Sequence, residues 1–197
     1  MARASTPGKL IAIAGKASAG KTTLAEELRM EHGYRICSFA GTLKATLFMF
    51  LNEAGCHHRD IERYAYEEKD EVIPEVGFSW RQGCQRLGTE WGRALNPNLW
   101  VNLWKERVTH YLFAGDDVVA DDMRFPNEVD AALELGGVLV WVERKDAPVS
   151  PHGDHESEQL QPGECFEELI GYLLRDTPRL ARKLDLLAER KRHKAVS

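Results

Sequence analysis

The chain has 197 residues, 43% hydrophobic and 29% charged, with a formal net charge of −5 at pH 7. A chain of this size buries roughly 70% of its unfolded surface, and no compositional break forces a second core. Its acidic balance excludes a general footprint for duplex nucleic acid, its longest apolar run falls far short of the ~20 residues of a membrane span, and four cysteines without a CxxC pair suit a reducing compartment.

Met1 to Gly8 carries no signal-like apolar stretch, so a soluble, cytoplasmic protein is expected. Lys9 to Gly15 then reads as a short buried strand that runs through a Gly/Ser/Ala loop into a helix from about Lys21 to Glu31. Tyr34 to Ala40 is a second candidate strand. Thr42 to Ala54 carries Leu43, Leu47, Phe50 and Leu51 at helical spacing. Gly55 to Gly77, with EEKDE at its centre, reads as a solvated helix face and loop. Ser79 is a candidate N-cap for a helix through Arg93, and Asn98 opens another to about Phe113.

Val118 to Asp121 is a short apolar strand ending in two aspartates. A helix from about Asn127 to Leu135, the pair Gly136-Gly137 and the strand Val138 to Val142 follow. Lys145 to Gly163 reads as a loop by its Pro, Gly, His and acids. Two helices, about Glu164 to Arg175 and Pro178 to Lys194, close the chain. The alternation of strands and helices predicts an α/β fold: a parallel sheet of four to five strands between two helical layers.

The loop after the first strand, Gly15-Lys16-Ala17-Ser18-Ala19-Gly20-Lys21-Thr22, matches G-x-x-x-x-G-K-[ST] between strand and helix, where that pattern has its mechanical sense. Its glycines let the backbone bend so that successive N–H groups face a polyphosphate, and the helix dipole adds positive charge. Lys21 reaches the β- and γ-phosphates, and Thr22 ligates the Mg²⁺ that bridges them, with Thr23 behind it. ATP and Mg²⁺ are therefore the expected donor and metal. No guanine-reading Asn/Thr-Lys-x-Asp segment follows, which speaks against a GTPase.

Arg81, Arg86 and Arg93 recur on RQGCQRLGTEWGR, interleaved with Gln82, Gln85, Glu90 and Trp91. Guanidinium forks suit phosphate, while Gln, Glu and Trp can hydrogen-bond or stack on a base. On spacing alone, an amphipathic surface helix with ordinary exposed arginines is the equal alternative. Lys44 joins the candidates for the acceptor. Asp121 and Asp122 end a strand beside the loop, where a carboxylate holds the water shell of Mg²⁺, orients an acceptor, or caps a helix. Glu128 reads as a first-turn acid. Arg144 stands at the edge of the 145–163 loop, where it supplies charge to a transition state or is an exposed strand-end arginine.

LGTEWGR (Leu87 to Arg93), NLWVNLW (Asn98 to Trp104), VVADDMRFPNE (Val118 to Glu128), Gly136-Gly137 and HESE (His155 to Glu158), in this order after the phosphate loop, resemble the bacteriophage-type deoxynucleoside monophosphate kinases. The resemblance runs from about Leu10 to Glu158. It implies a three-layer P-loop NTPase fold of the nucleoside monophosphate kinase-like kind and Mg²⁺-dependent transfer of the ATP γ-phosphoryl group to a deoxynucleoside 5′-monophosphate. In the family's motifs Arg81, Glu90, Arg93 and Arg124 fall in the acceptor region, Asp122 aligns with the Asp of Asp-x-Arg-Phe, and His155 and Glu158 match HxSE, with hinge, lid-anchoring and substrate roles all open. The catalytic candidates are thus Lys21, Asp122, Arg124 and Arg144, and those for metal are Thr22, Asp121 and Asp122.

The implied organisation is a single P-loop kinase domain: a core at about 9–40 and 115–144, an acceptor-binding helical insertion at about 41–114, a lid at about 145–163 and C-terminal helices at about 164–194. After HESE the family carries a short strand with Ile-x-Asn, whereas this chain reads QLQPGECFEELI, so a shortened or missing last strand is expected. The basic residues Arg190, Lys191, Arg192 and Lys194 suit the end of a packed helix better than stable nucleic-acid binding. A homodimer is left open, and the cytoplasm would be a host's if the gene is phage-borne. A phosphate acceptor is already anionic near neutral pH, so the absence of an obvious catalytic base fits a monophosphate better than a sugar hydroxyl. Another P-loop metabolite kinase with a hydroxyl acceptor, or a nucleic-acid-linked ATPase, are the competing readings.

Overall fold

The computed structural model describes residues 6–143, 160–163, 165–169 and 176–196, with the side chains of 167–169 and 194–196 excepted. In chain order the elements are β1 (Leu10–Gly15), α1 (Lys21–His32), β2 (Arg35–Ile36), α2 (Gly41–Glu53), α3 (His58–Tyr66), β3 (Val72–Ile73), β4 (Phe78–Ser79), α4 (Trp80–Gln85), a π-helical segment (Arg86–Arg93), α5 (Leu99–Ala114), β5 (Val118–Met123), α6 (Pro126–Glu134), β6 (Val138–Val142), β7 (Phe166–Leu169) and α7 (Thr177–Val196). They fall into two compact units, Met1–Phe39 with Lys105–Ser197, and Ala40–Trp104.

The first unit is built on a five-stranded sheet in the order β2-β5-β1-β6-β7, with every neighbouring pair parallel. β1 and β6 are buried on both faces, which is why they read as unbroken apolar runs rather than alternating ones. On one face Ile11, Ile13, Val119, Val138, Val140 and Val142 pack with Leu24, Ala25 and Leu28 of α1 and Ala181, Leu184 and Ala188 of α7. α6 packs against β6.

A charged cluster ties α7 to the start of β1. Lys9 Nζ stands 2.5 Å from Asp185, 3.1 Å from Asp117 and 3.6 Å from Glu189. The Tyr34 hydroxyl donates to Asp185 at 3.0 Å. Burial alone would raise the Asp185 carboxyl, but the hydrogen bonds from Lys9 and Tyr34 outweigh it and hold the group below its ordinary range.

The second unit has its own apolar cluster, with Leu47, Leu51, Cys56, Ile61, Tyr64, Ile73 and Trp80 buried together. α4 starts from a reciprocal cap in which Ser79 Oγ accepts from Gln82 N at 3.2 Å and Gln82 Oε1 accepts from Ser79 N at 3.1 Å.

The parallel α/β architecture expected from sequence is present, while the helix expected from Glu164 and the strand expected over Tyr34 to Ala40 need correction. The four-residue β7 lies in the stretch where a shortened or missing strand was expected, pairing with β6 from Leu139↔Phe166 to Val142↔Leu169. It also replaces the start of the helix expected from Glu164, because Phe166 gains edge-to-face contact with Trp141 on the neighbouring strand, ring centroids 5.8 Å apart. The strand expected over Tyr34 to Ala40 is only Arg35–Ile36. The polar stretch 55–77 contains a helix and one strand of a two-stranded antiparallel hairpin.

Candidate functional site

The phosphate loop has a backbone that other sequences would resist. Gly15 sits at φ 142°, Ser18 at 61° and Gly20 at 90°. A Cβ on Gly15 would lie 2.2 Å from the carbonyl oxygen of Val142, so only glycine lets β1 turn out of the sheet beside β6. Left-handed positions at Ser18 and Gly20 are the form in which backbone amides make an anion-binding nest. α1 starts at Lys21 with no side-chain cap and no acidic residue in its first turn, which leaves the positive end of the helix for an anion. Lys21 Nζ donates to the carbonyls of Gly15 at 2.7 Å and Lys16 at 2.8 Å, and so lies across the loop. Ala19 is buried, while Lys16, Ser18, Thr22 and Thr23 are exposed, with Ala17 half-buried.

The two aspartates separate. β1 residues Ala12 and Ala14 pair with Ala120 and Met123, so Asp121 and Asp122 together stand opposite Ile13. This two-against-one bulge re-aims side chains at the end of β5. Asp121 Oδ2 accepts from the Thr22 hydroxyl at 3.1 Å and its Oδ1 from the Ser38 hydroxyl at 2.7 Å. Asp122 Oδ1 accepts from the backbone N–H of Phe39 at 2.7 Å. Of the three residues expected to hold Mg²⁺, Thr22 and Asp121 are thus hydrogen-bonded to each other, a hard oxygen pair that fits this cation. Asp122 is tied instead to the backbone that leaves β2.

Arg124 is half-buried at the turn into α6. Glu128, only 4% exposed, accepts from the backbone N–H groups of Arg124 at 2.7 Å and Phe125 at 3.2 Å. It is a first-turn acid, as its position suggests, and fixes the backbone that carries Arg124. Arg107, which the sequence did not single out, hydrogen-bonds the Cys37 thiol; burial pushes that thiol up, with Arg107 opposing and Asp122 reinforcing the shift. No one-dimensional signal links an α5 arginine to the end of β2.

In the helical unit, Arg81 makes a two-pronged contact with Asp70, 2.6 Å from Nε to Oδ1 and 3.2 Å from Nη2 to Oδ2. Cys84 lies beside it. Burial pushes the Cys84 thiol up to about 11, with Lys44, Lys69 and Arg81 all pulling the other way. Cations from α2, the stretch after α3, and α4 thus act electrostatically on one thiol. Lys69 was missed because it lies inside EEKDE, where acids dominate the reading. Gln85 is half-buried, Glu90 is exposed 3.9 Å from Arg86, and Arg93 donates to the Pro97 carbonyl at 3.3 Å. Trp91 is 52% exposed. Arg144, His155 and Glu158 lie outside the described residues, as does the expected lid up to residue 159. Among the described residues no helix is long and apolar enough to cross a membrane.

A parallel sheet whose first strand opens into this loop, with a hydroxyl and a carboxylate joined at its mouth, defines a P-loop protein of the nucleoside monophosphate kinase-like class. No family model matches the chain. It is 31% identical over 164 residues to a protein of Acanthamoeba polyphaga mimivirus named "Putative deoxynucleotide monophosphate kinase", an alignment that covers 76% of this chain and 80% of that one. The chain belongs to the deoxynucleotide monophosphate kinase family, and its role is that of a nucleotide kinase.

Proposed function

We propose that the protein transfers the γ-phosphoryl group of ATP to a deoxynucleoside 5′-monophosphate, giving ADP and a deoxynucleoside diphosphate. The observation that carries the reading is the arrangement at the loop mouth, where Lys21 spans the nest and Thr22 meets Asp121. The left-handed backbone at Ser18 and Gly20 and the uncapped start of α1 bind the donor's phosphates. Lys21 exchanges its two loop carbonyls for phosphate oxygens. Thr22 and Asp121 hold Mg²⁺, which when bound neutralises charge on the transferring group.

On the acceptor side, Lys44, Lys69 and Arg81 supply positive charge for the monophosphate, while Glu90, Trp91 and Arg93 contact base, sugar or phosphate. Asp122 and Arg124 help orient the acceptor. Such chemistry needs positioning and charge more than a base, because the attacking phosphate oxygen is already ionised. The test is ADP release from ATP and Mg²⁺ with each deoxynucleoside and ribonucleoside monophosphate in turn. Release that depends on an added deoxynucleoside monophosphate is expected; release equally fast without any acceptor rejects the reading.

A further inference from the structure

The π-helical segment Arg86–Arg93 is the least ordinary element of the helical unit. π-helices are rare, and a run of eight residues needs something to hold it against the more favourable α register. Trp100, at the start of α5, meets that need. Its indole Nε1–H donates to the carbonyl of Gly88 at 2.9 Å, and the bond is buried. The same ring fills the space beside Gly92, where a Cβ would lie 2.4 to 2.6 Å from indole atoms. Gly88 is close-packed too, since a Cβ there would lie 2.9 Å from Leu43. The two glycines of LGTEWGR and the first tryptophan of NLWVNLW are one joint, which gives a physical reason for the two motifs to occur together.

The joint carries the acceptor candidates. Glu90, Trp91 and Arg93 project from the turns that Trp100 braces, and the ring of Trp91 lies 6.3 Å from that of Trp100, tilted by 45°. If the segment slipped by one residue towards an α-helix, every later side chain would turn by about 100°. We infer that Trp100 is a positioning residue that locks the 86–93 segment in π register and so sets the directions of Glu90, Trp91 and Arg93 for the acceptor nucleotide. It touches no substrate itself: it is only 6% exposed.

The inference rests on the acceptor reading given above. Trp100→Phe keeps the ring and removes the donor, whereas Gly92→Ala keeps the donor and fills its berth. In both, KM for the deoxynucleoside monophosphate should rise about tenfold or more, the scale on which small misplacements act. KM for ATP should stay within about twofold of wild type in the same proteins. A merely structural role would lower the folded fraction without splitting the two KM values.

Glu90→Gln and Arg93→Lys separate this inference from the reading beneath it. If these raise the acceptor KM and Trp100→Phe does not, the lock is overturned and the acceptor assignment stands. If none of the four variants moves it, both fall. Should Trp100→Phe and Gly92→Ala fail to fold, hydrogen exchange on the unaltered protein decides. Exchange across 86–100 should slow on adding deoxynucleoside monophosphate and not on adding ATP; no slowing rejects the lock.

Discussion

Asp121 and Asp122 are neighbours with different partners, and substituting them should separate two functions. Asp121→Asn leaves Thr22 and Ser38 hydrogen-bonded to a neutral amide, so turnover should fall at least about 10²-fold and the Mg²⁺ titration should move to higher concentration. Asp122→Asn should leave the Mg²⁺ titration in place and raise the acceptor KM instead. Equal shifts of the Mg²⁺ midpoint in both variants would contradict the division. The aspartates were legible as candidates because they end an apolar strand beside the loop. Which one meets Thr22 was not legible, because strict alternation along a strand gives no sign of the bulge opposite Ile13.

The Lys9 cluster makes a pH prediction at the same scale. Asp185 has a depressed pKa in the fold, so its contribution to stability is present above its unfolded value and is lost as pH falls through the folded one. Lys9 is raised: burial works against it, but its hydrogen bonds to Asp185 and Asp117 outweigh that, so its contribution is lost only as pH rises beyond the ordinary lysine range. His32 also lies 3.7 Å from Asp185, and Glu189 lies 3.6 Å from Lys9. Thermal melts should therefore show stability falling in acid, and Asp185→Asn should lower stability near neutral pH by about 1–3 kcal/mol while flattening that acid limb. An unchanged acid limb in the variant would contradict the assignment.

Elements with a strong period or a local stop signal were readable: β1, α1, β5, α6 and β6 follow from apolar runs, the phosphate loop and the Gly136-Gly137 turn. Ser79 was readable as an N-cap because its chemistry is local. Three features escaped for one reason, that long-range contact decides them. β7 exists through pairing with β6 and the Phe166 contact with Trp141. β2 stops at Ile36 because only two of its residues pair with β5. The helix expected to run from Ser79 to Arg93 becomes π-helical where Trp100 enters it. At this scale Gly15→Ala is the sharpest probe, since the added methyl meets the Val142 carbonyl and a left-handed φ together. A loss on the order of 2–3 kcal/mol in stability, with weakened ATP binding, is expected in denaturant titration and nucleotide-binding assays. Wild-type behaviour would mean that β1 leaves the sheet by another path.

At the scale of the whole molecule, each of the two units has its own apolar cluster, and the chain between Phe39 and Lys105 contributes a unit of its own rather than a long loop. Composition foretold enough apolar residues for a stable fold but gave no sign of this division, because both units draw on the same mixture of residues. The candidate site is likewise legible in halves. The donor half is continuous in sequence and could be read from eight residues. The proposed acceptor half draws on α2, the EEKDE stretch and the 81–93 segment; Lys44, Arg81, Gln85, Glu90, Trp91 and Arg93 could be singled out in sequence, whereas Lys69 could not.

The central claim is that the loop closed by Lys21 delivers a phosphoryl group to a second nucleotide rather than to water. Following the label from γ-labelled ATP in the presence of Mg²⁺ and a deoxynucleoside monophosphate tests it most directly. The account predicts labelled deoxynucleoside diphosphate from the wild type and a loss of at least about 10²-fold with Lys21→Ala. Label released only as inorganic phosphate, at a rate indifferent to the nucleotide added, would contradict it.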